Sequence, residues 1–155
     1  MILFGLQGCG KTFFGKKLAF RLNLPFIDTD QVIQMRHPRS LSCREICQQE
    51  GEAAFRKWET ESICSLVLDR PSIIAVGGGS LLCEKNRQAL LPVKLWVHLV
   101  VDKEVRRARM KGLPAYLSIE EERLELYRTL ATVEVVIGDQ SEEQVLEVLS
   151  NIYGQ

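Results

Sequence analysis

Residues Gly5-Leu-Gln-Gly-Cys-Gly-Lys-Thr12 match the pattern G-x-x-x-x-G-K-[ST]. The flanks suit that pattern: an apolar run, Met1 to Phe4, precedes it, and a helix-like segment, Lys11 to Leu22, follows. Glycines there let the backbone turn tightly with its N–H groups pointing inward, which makes an anion nest at a helix N-terminus. A strand, a phosphate loop and a helix in that order force an α/β unit. Nucleotide phosphates are the expected ligand, and the alternative is a Gly-rich turn that binds nothing. Lys11 would reach the β- and γ-phosphates, and the Thr12 hydroxyl would ligate magnesium.

Elsewhere, strand-like and helix-like stretches alternate. Phe26-Ile27 ends at Asp28-Thr-Asp30, and helices are expected from about residue 30 to His37 and from the capping box Ser42-Cys-Arg-Glu45. A longer one is expected over 52–69. Ser72 to Val76 is a buried-strand run leading into Gly77-Gly78-Gly79, and a short helix is expected over 83–91. Val93 to Val101 is the longest strand candidate, followed by a basic helix that Asp102 can cap. Residues 110–117 fit no regular period. Ser118-Ile-Glu-Glu121 and Ser141-Glu-Glu-Gln144 are further capping boxes, with a fifth strand, Val133 to Ile137, between their helices. This order predicts a three-layer α/β/α fold around a five-stranded parallel sheet, in one domain over 1–155. Ligands of such sheets bind at the carboxyl ends of the strands, which brings the loops Gly5–Thr12, Asp28–Asp30 and Gly77–Gly79 together.

Twenty basic and twenty acidic residues cancel, so no broad field for nucleic acid or anionic membrane is expected. With no secretory signal and no apolar run of membrane-spanning length, the expected compartment is the cytosol. The five cysteines (Cys9, Cys43, Cys47, Cys64, Cys83) form no C-x-x-C pair and are expected to be reduced and mostly buried. His98 reads as a packing residue, and His37 as a loop residue before Pro38.

Phosphoryl transfer needs charge neutralisation, a held nucleophile and exclusion of water. If the second strand runs through Thr29, Asp28 and Asp30 point to one side, one serving magnesium through water and the other accepting a hydroxyl proton. Otherwise Asp30 is a helix cap and Asp28 a turn residue. Arg56 and Glu59, three apart on a helix, are either a surface ion pair or an inward arginine braced to fork around a carboxylate. Three glycines after a buried strand let a ligand approach bare backbone. Arg123, taken alone, reads as solvated.

These residues together resemble the shikimate kinases, small P-loop kinases related to nucleoside monophosphate kinases. The resemblance rests on G-L-Q-G-C-G-K-T at 5–12, D-T-D at 28–30, F-R-x-x-E at 55–59, G-G-G at 77–79 and E-R-L-E-L-Y around Arg123. It implies transfer of the γ-phosphate of ATP to the 3-hydroxyl of shikimate, on the way to chorismate, with ATP and magnesium as cofactors. It implies Lys11 and Asp30 as catalytic residues, with Asp30, Arg56, Gly77, Gly78, Gly79 and Arg123 holding shikimate. Gly8, Cys9, Gly10, Lys11, Thr12, Phe13 and Arg107 would hold the nucleotide, Arg107 near adenine, and Thr12 and Asp28 would serve the metal. Substrate-binding helices over about 30–69, a mobile lid over about 108–118 and a monomeric enzyme follow from the same likeness. The family's lid carries Arg-Pro, whereas this chain has Leu113-Pro114, so Arg109 or Lys111 is expected to supply the lid cation.

Overall fold

The computed structural model describes residues 1–109 and 120–155. Five strands form one parallel sheet: β1 (Ile2–Phe4), β2 (Phe26–Asp28), β3 (Ile73–Ala75), β4 (Trp96–Val101) and β5 (Val133–Ile137), in the order β2-β3-β1-β4-β5. Helices α1 (Lys11–Leu22), α2 (Thr29–Arg36), α3 (Cys43–Glu50), α4 (Glu52–Cys64), α5 (Glu84–Leu90), α6 (Lys103–Arg109), α7 (Glu120–Leu130) and α8 (Glu142–Tyr153) connect the strands, with a single 3₁₀ turn at Ser80–Leu82.

The sheet separates two apolar clusters, as crossover helices on both faces require. Leu3, Val97, Leu99 and Val135 pack with Phe14 and Leu18 of α1 and Val145 and Leu149 of α8. On the opposite face Ile2, Phe4, Ile74 and Trp96 pack with Ile63 of α4, Leu90 of α5 and Tyr127 of α7. The expected three layers and five parallel strands are therefore present.

Boundaries differ where tertiary contacts decide them. The fourth strand begins at Trp96 and not at Val93, because Val93 bonds back to Leu90 O in the turn that closes α5. The fourth helix stops at Cys64, where the Ser65 and Leu66 amides turn back into its last carbonyls. The second strand does not run through Thr29: it ends at Asp28, which is the N-cap of α2. Both capping boxes within the described residues, Ser42 with Glu45 and Ser141 with Gln144, form as expected, and Asp102 Oδ1 accepts from the amide of Glu104. The Ser118 box, Lys111, Leu113-Pro114 and all of the expected lid but its first two residues lie outside the described residues.

The expectation of mostly buried thiols fails: Cys9 is buried, Cys43 and Cys83 are half-buried, and Cys47 and Cys64 are exposed, all of them free. His98 is a packing residue as expected, stacked on Phe4 with ring centroids 5.3 Å apart. His37, read as a loop residue, is instead buried, with Nε2 3.1 Å from Glu50 and its ring edge-on to Trp58. It ties the end of α2 to the end of α3. Among the described residues, no helix is long and apolar enough to cross a membrane.

Candidate active site

The strand registers set the site's level. Leu3 pairs with Ala75, and Ala75 with Asp28, so β1, β2 and β3 end together and release their loops on one side. Gly5 leaves β1 with φ 148°, and a Cβ there would lie 2.5 Å from the backbone oxygen of Leu99. Only glycine fits against the neighbouring strand at that point. Gly10, at φ 93°, is the N-cap of α1 and offers no side chain to its amides. The first turn of α1 therefore presents N–H groups and the positive end of its dipole to an anion.

Lys11 folds over this loop, with Nζ 2.9 Å from Gly5 O and 3.1 Å from Leu6 O. Cys9 turns its thiol inward, fully buried, and its amide bonds to Leu6 O. Phe13 is half exposed, edge-on to Phe14, with Lys17 Nζ 4.5 Å from its ring centre. Two arginines of α6 reach the loop from above: Arg106 Nη1 donates to Gln7 O at 3.4 Å, and Arg109 Nη1 to Gly8 O at 3.2 Å. Arg107 is on the same helix, and its side chain lies outside the described residues.

Asp28 and Asp30 take different positions from those that a continuous strand would give. Asp28 Oδ2 accepts from the Thr12 hydroxyl at 2.8 Å, and its Oδ1 accepts from the Asp30 amide at 3.0 Å. The cap thus links the phosphate loop to α2, and the residue that caps is Asp28, not Asp30. This leaves the Asp30 carboxylate free of capping. It is open to the cleft yet closely surrounded, and loss of water around it raises its pKa above the usual aspartate value. The charge of Asp28 adds to that rise, and Lys11 opposes it. Cys43 Sγ lies 3.7 Å from the Asp30 carbonyl, and burial pushes that thiol up to about 12, so it is a neutral neighbour.

Arg56 and Glu59 do not form an exposed surface pair, because the glutamate is buried. Glu59, only 2% exposed, accepts from Arg56 Nη1 at 2.9 Å and from the Ser80 hydroxyl at 2.6 Å. Burial works against the arginine's charge, but Glu59 and then Glu52 outweigh it and raise its pKa. The triple glycine closes against these groups. A Cβ on Gly77 would lie 3.0 Å from Asp30 Oδ1, and one on Gly79 2.8 Å from Arg56 Nη2. The Gly77 amide donates to Thr29 Oγ1 at 3.1 Å. Side chains here would displace the carboxylate and the guanidinium.

Gly78 O accepts from the buried Tyr127 hydroxyl of α7. Arg123 lies one turn before Tyr127 on α7 and is half-buried, with a buried Nε that has no hydrogen-bond partner among the described residues. It is not the solvated residue that its sequence context suggests. Reading the sequence missed Thr29, Ser80, Arg106 and Tyr127. Ser80 directly follows the triple glycine and Tyr127 ends the E-R-L-E-L-Y segment, so adjacency was the available signal.

Among the described residues no group of three or more His, Cys, Asp or Glu side chains could hold a metal by itself. The Thr12 hydroxyl with the Asp28 carboxylate is an all-oxygen pair. It fits magnesium, which keeps waters and takes most ligands from nucleotide phosphates.

The family model described as shikimate kinase matches residues 7–153. A shikimate kinase of Thermobifida fusca is 31% identical, the alignment covering 96% of this chain and 91% of that protein. Among solved structures, shikimate kinase from Acinetobacter baumannii in complex with shikimate aligns with a TM-score of 0.82 at 26% identity, over 99% of this chain and 92% of that one. Shikimate kinase from Aquifex aeolicus aligns with a TM-score of 0.78 at 30% identity, over 99% and 97%.

Proposed function

The chain belongs to the shikimate kinase family, and we propose that it phosphorylates shikimate with Asp30 as the base. The family's reaction, transfer of the γ-phosphate of ATP to the 3-hydroxyl of shikimate, is this chain's reaction. The observation that carries the residue assignment is the closeness of Asp30 and Arg56 to Gly77–Gly79, with the Lys11 charge acting on the Asp30 carboxyl.

ATP phosphates occupy the loop from Gly8 to Phe13, where the amides of the first turn of α1 and Lys11 neutralise charge. Lys11 exchanges the carbonyls of Gly5 and Leu6 for phosphate oxygens. Thr12 and, directly or through water, Asp28 would hold magnesium, which would supply charge neutralisation when bound. Arg56, kept cationic and aimed by Glu59, forks around the shikimate carboxylate, with Arg123 as its second cation. The bare backbone of Gly77 to Gly79 lets the ring approach. Asp30 accepts the 3-hydroxyl proton on a carboxylate oxygen, and its raised pKa makes it a better base than an ordinary aspartate. Helices α2 to α4 form the substrate-binding segment.

The family's lid arginine is Leu113 here, and Arg109 or Lys111 replaces it. The contact of Arg109 with Gly8 O supports Arg109. Arg107 is assigned to adenine on the family likeness alone. A monomeric, cytoplasmic enzyme without nucleic-acid or membrane partners completes the reading, in keeping with twenty acidic and twenty basic residues.

A coupled ADP-release assay with shikimate, gluconate and nucleoside monophosphates tests this. Shikimate-dependent turnover that disappears in Asp30→Asn is the expected result. Turnover with another acceptor alone, or ATP binding without acceptor-dependent turnover, would overturn it.

A further inference from the structure

The three glycines at 77–79 are a weak place to build a site. Glycine gives up more backbone freedom on ordering than any other residue, and it has no side chain to anchor it. Yet Gly77 lies against Asp30 Oδ1 and Gly79 against the Arg56 guanidinium, so a small shift of this segment moves both groups. Something must hold its middle residue.

The ends are tied locally. The Gly77 amide bonds to Thr29 Oγ1, and the carbonyls of Gly77 and Gly79 accept from the amides of Ser80 and Leu82. Gly78 is tied from α7, by a hydroxyl 49 residues away: Tyr127 Oη donates to Gly78 O. The Tyr127 ring is 1% exposed and wedged edge-on against Phe4, at 5.4 Å, and His98, at 5.3 Å. Phe4 is the last residue of β1, directly before the phosphate loop, so the ring is seated on the sheet beside that loop. Burial pushes the phenol up to about 12, which keeps the proton on the donor. Arg123 lies one turn earlier on the same helix.

Resting on the shikimate kinase reading, we infer that the Tyr127 hydroxyl is a positioning residue for the acceptor. It locks Gly78 so that Asp30, Arg56 and Arg123 keep one spacing around the bound ring. Its ring packs the core, and its hydroxyl sets the acceptor site. The two roles separate in Tyr127→Phe, which keeps the ring and removes only the donor.

The test is steady-state kinetics of the full chain as a function of each substrate. Tyr127→Phe raises the KM for shikimate about five- to tenfold, the range for a lost buried hydrogen bond. The KM for ATP stays within about twofold, since the phosphate loop keeps its own bonds. Partial misfolding lowers kcat alone, so the split between the two KM values does not depend on the folded fraction. Installing 3-fluorotyrosine at position 127, which retains the hydroxyl, restores the wild-type KM for shikimate. An unchanged KM for shikimate in Tyr127→Phe overturns the inference. So does an equal rise for ATP, which would assign the hydroxyl to the phosphate loop. A phenylalanine variant that does not fold also overturns it, because the hydroxyl would then hold the fold. Failure of the wild-type chain to turn over shikimate would count against the functional reading itself, which keeps the two failures distinct.

Discussion

Replacing Glu59 by alanine isolates the brace beneath the acceptor site. Glu59 is 2% exposed and accepts from Ser80 Oγ at 2.6 Å and Arg56 Nη1 at 2.9 Å. The Ser80 bond is buried and charge-assisted, and contributes about 1.5–3 kcal/mol. Arg56 is 35% exposed, so its ion pair is discounted to about 0.5–1 kcal/mol. Removing a buried carboxylate also relieves its own desolvation, which keeps the total near the lower end, about 2–3 kcal/mol. At roughly 2–4 °C per kcal/mol for a chain of this size, the midpoint of thermal unfolding should fall by about 5–10 °C. The freed Arg56 should also raise the KM for shikimate about tenfold while the KM for ATP holds, because the guanidinium is no longer pre-aimed. Differential scanning calorimetry and the coupled assay measure the two effects. A fall of less than about 2 °C, or equal changes in both KM values, would refute the brace. Glu52→Ala is the control: its contact with Arg56 is 3.4 Å and exposed, and its loss should barely move the midpoint.

Asp30→Asn should abolish turnover and yet raise the unfolding midpoint at neutral pH. A carboxyl whose pKa is higher folded than unfolded favours folding while protonated and opposes it once ionised, so the gain should vanish as the pH falls below the ordinary aspartate range. For the same reason, the acid limb of kcat/KM should sit above the usual aspartate pKa in a pH–rate profile, and a limb at or below it would contradict the assignment. Gly79→Ala should raise the KM for shikimate with little change in folding, since its Cβ would meet the movable Arg56 guanidinium and not backbone; circular dichroism alongside kinetics separates the two. Thr12→Val should raise the magnesium concentration needed for half-maximal rate, read by metal titration. Arg109→Ala should lower kcat more than it changes the KM for ATP, and unchanged kcat in Arg109→Ala, Lys111→Ala and the double variant would remove the lid cation from the mechanism.

The phosphate loop, the order of strands and helices and the capping boxes at Ser42 and Ser141 were legible because each is a local device. A helix cap or a tight turn is specified by residues within about four positions of one another. The convergence of three loops was also legible, because parallel sheets place successive strand ends on one side. Local pattern failed at Thr29, where the strand was allowed one residue too many and Asp28 instead took the cap. It failed at Arg123, whose charged neighbours suggested a solvated helix, and at His37, whose partners Glu50 and Trp58 belong to other helices.

By itself, then, the sequence determined that a phosphate-loop motif ends a first strand and that the carboxylates and arginines proposed for an acceptor follow it. Only the tertiary structure decided which of those groups face one another. Glu59 meets Ser80 across 21 residues, and Tyr127 meets Gly78 across 49. The physical reason is that a buried hydrogen bond between distant residues leaves no periodicity. It is set by the packing of α4 and α7 onto the same face of the sheet, which exists only once the core has formed.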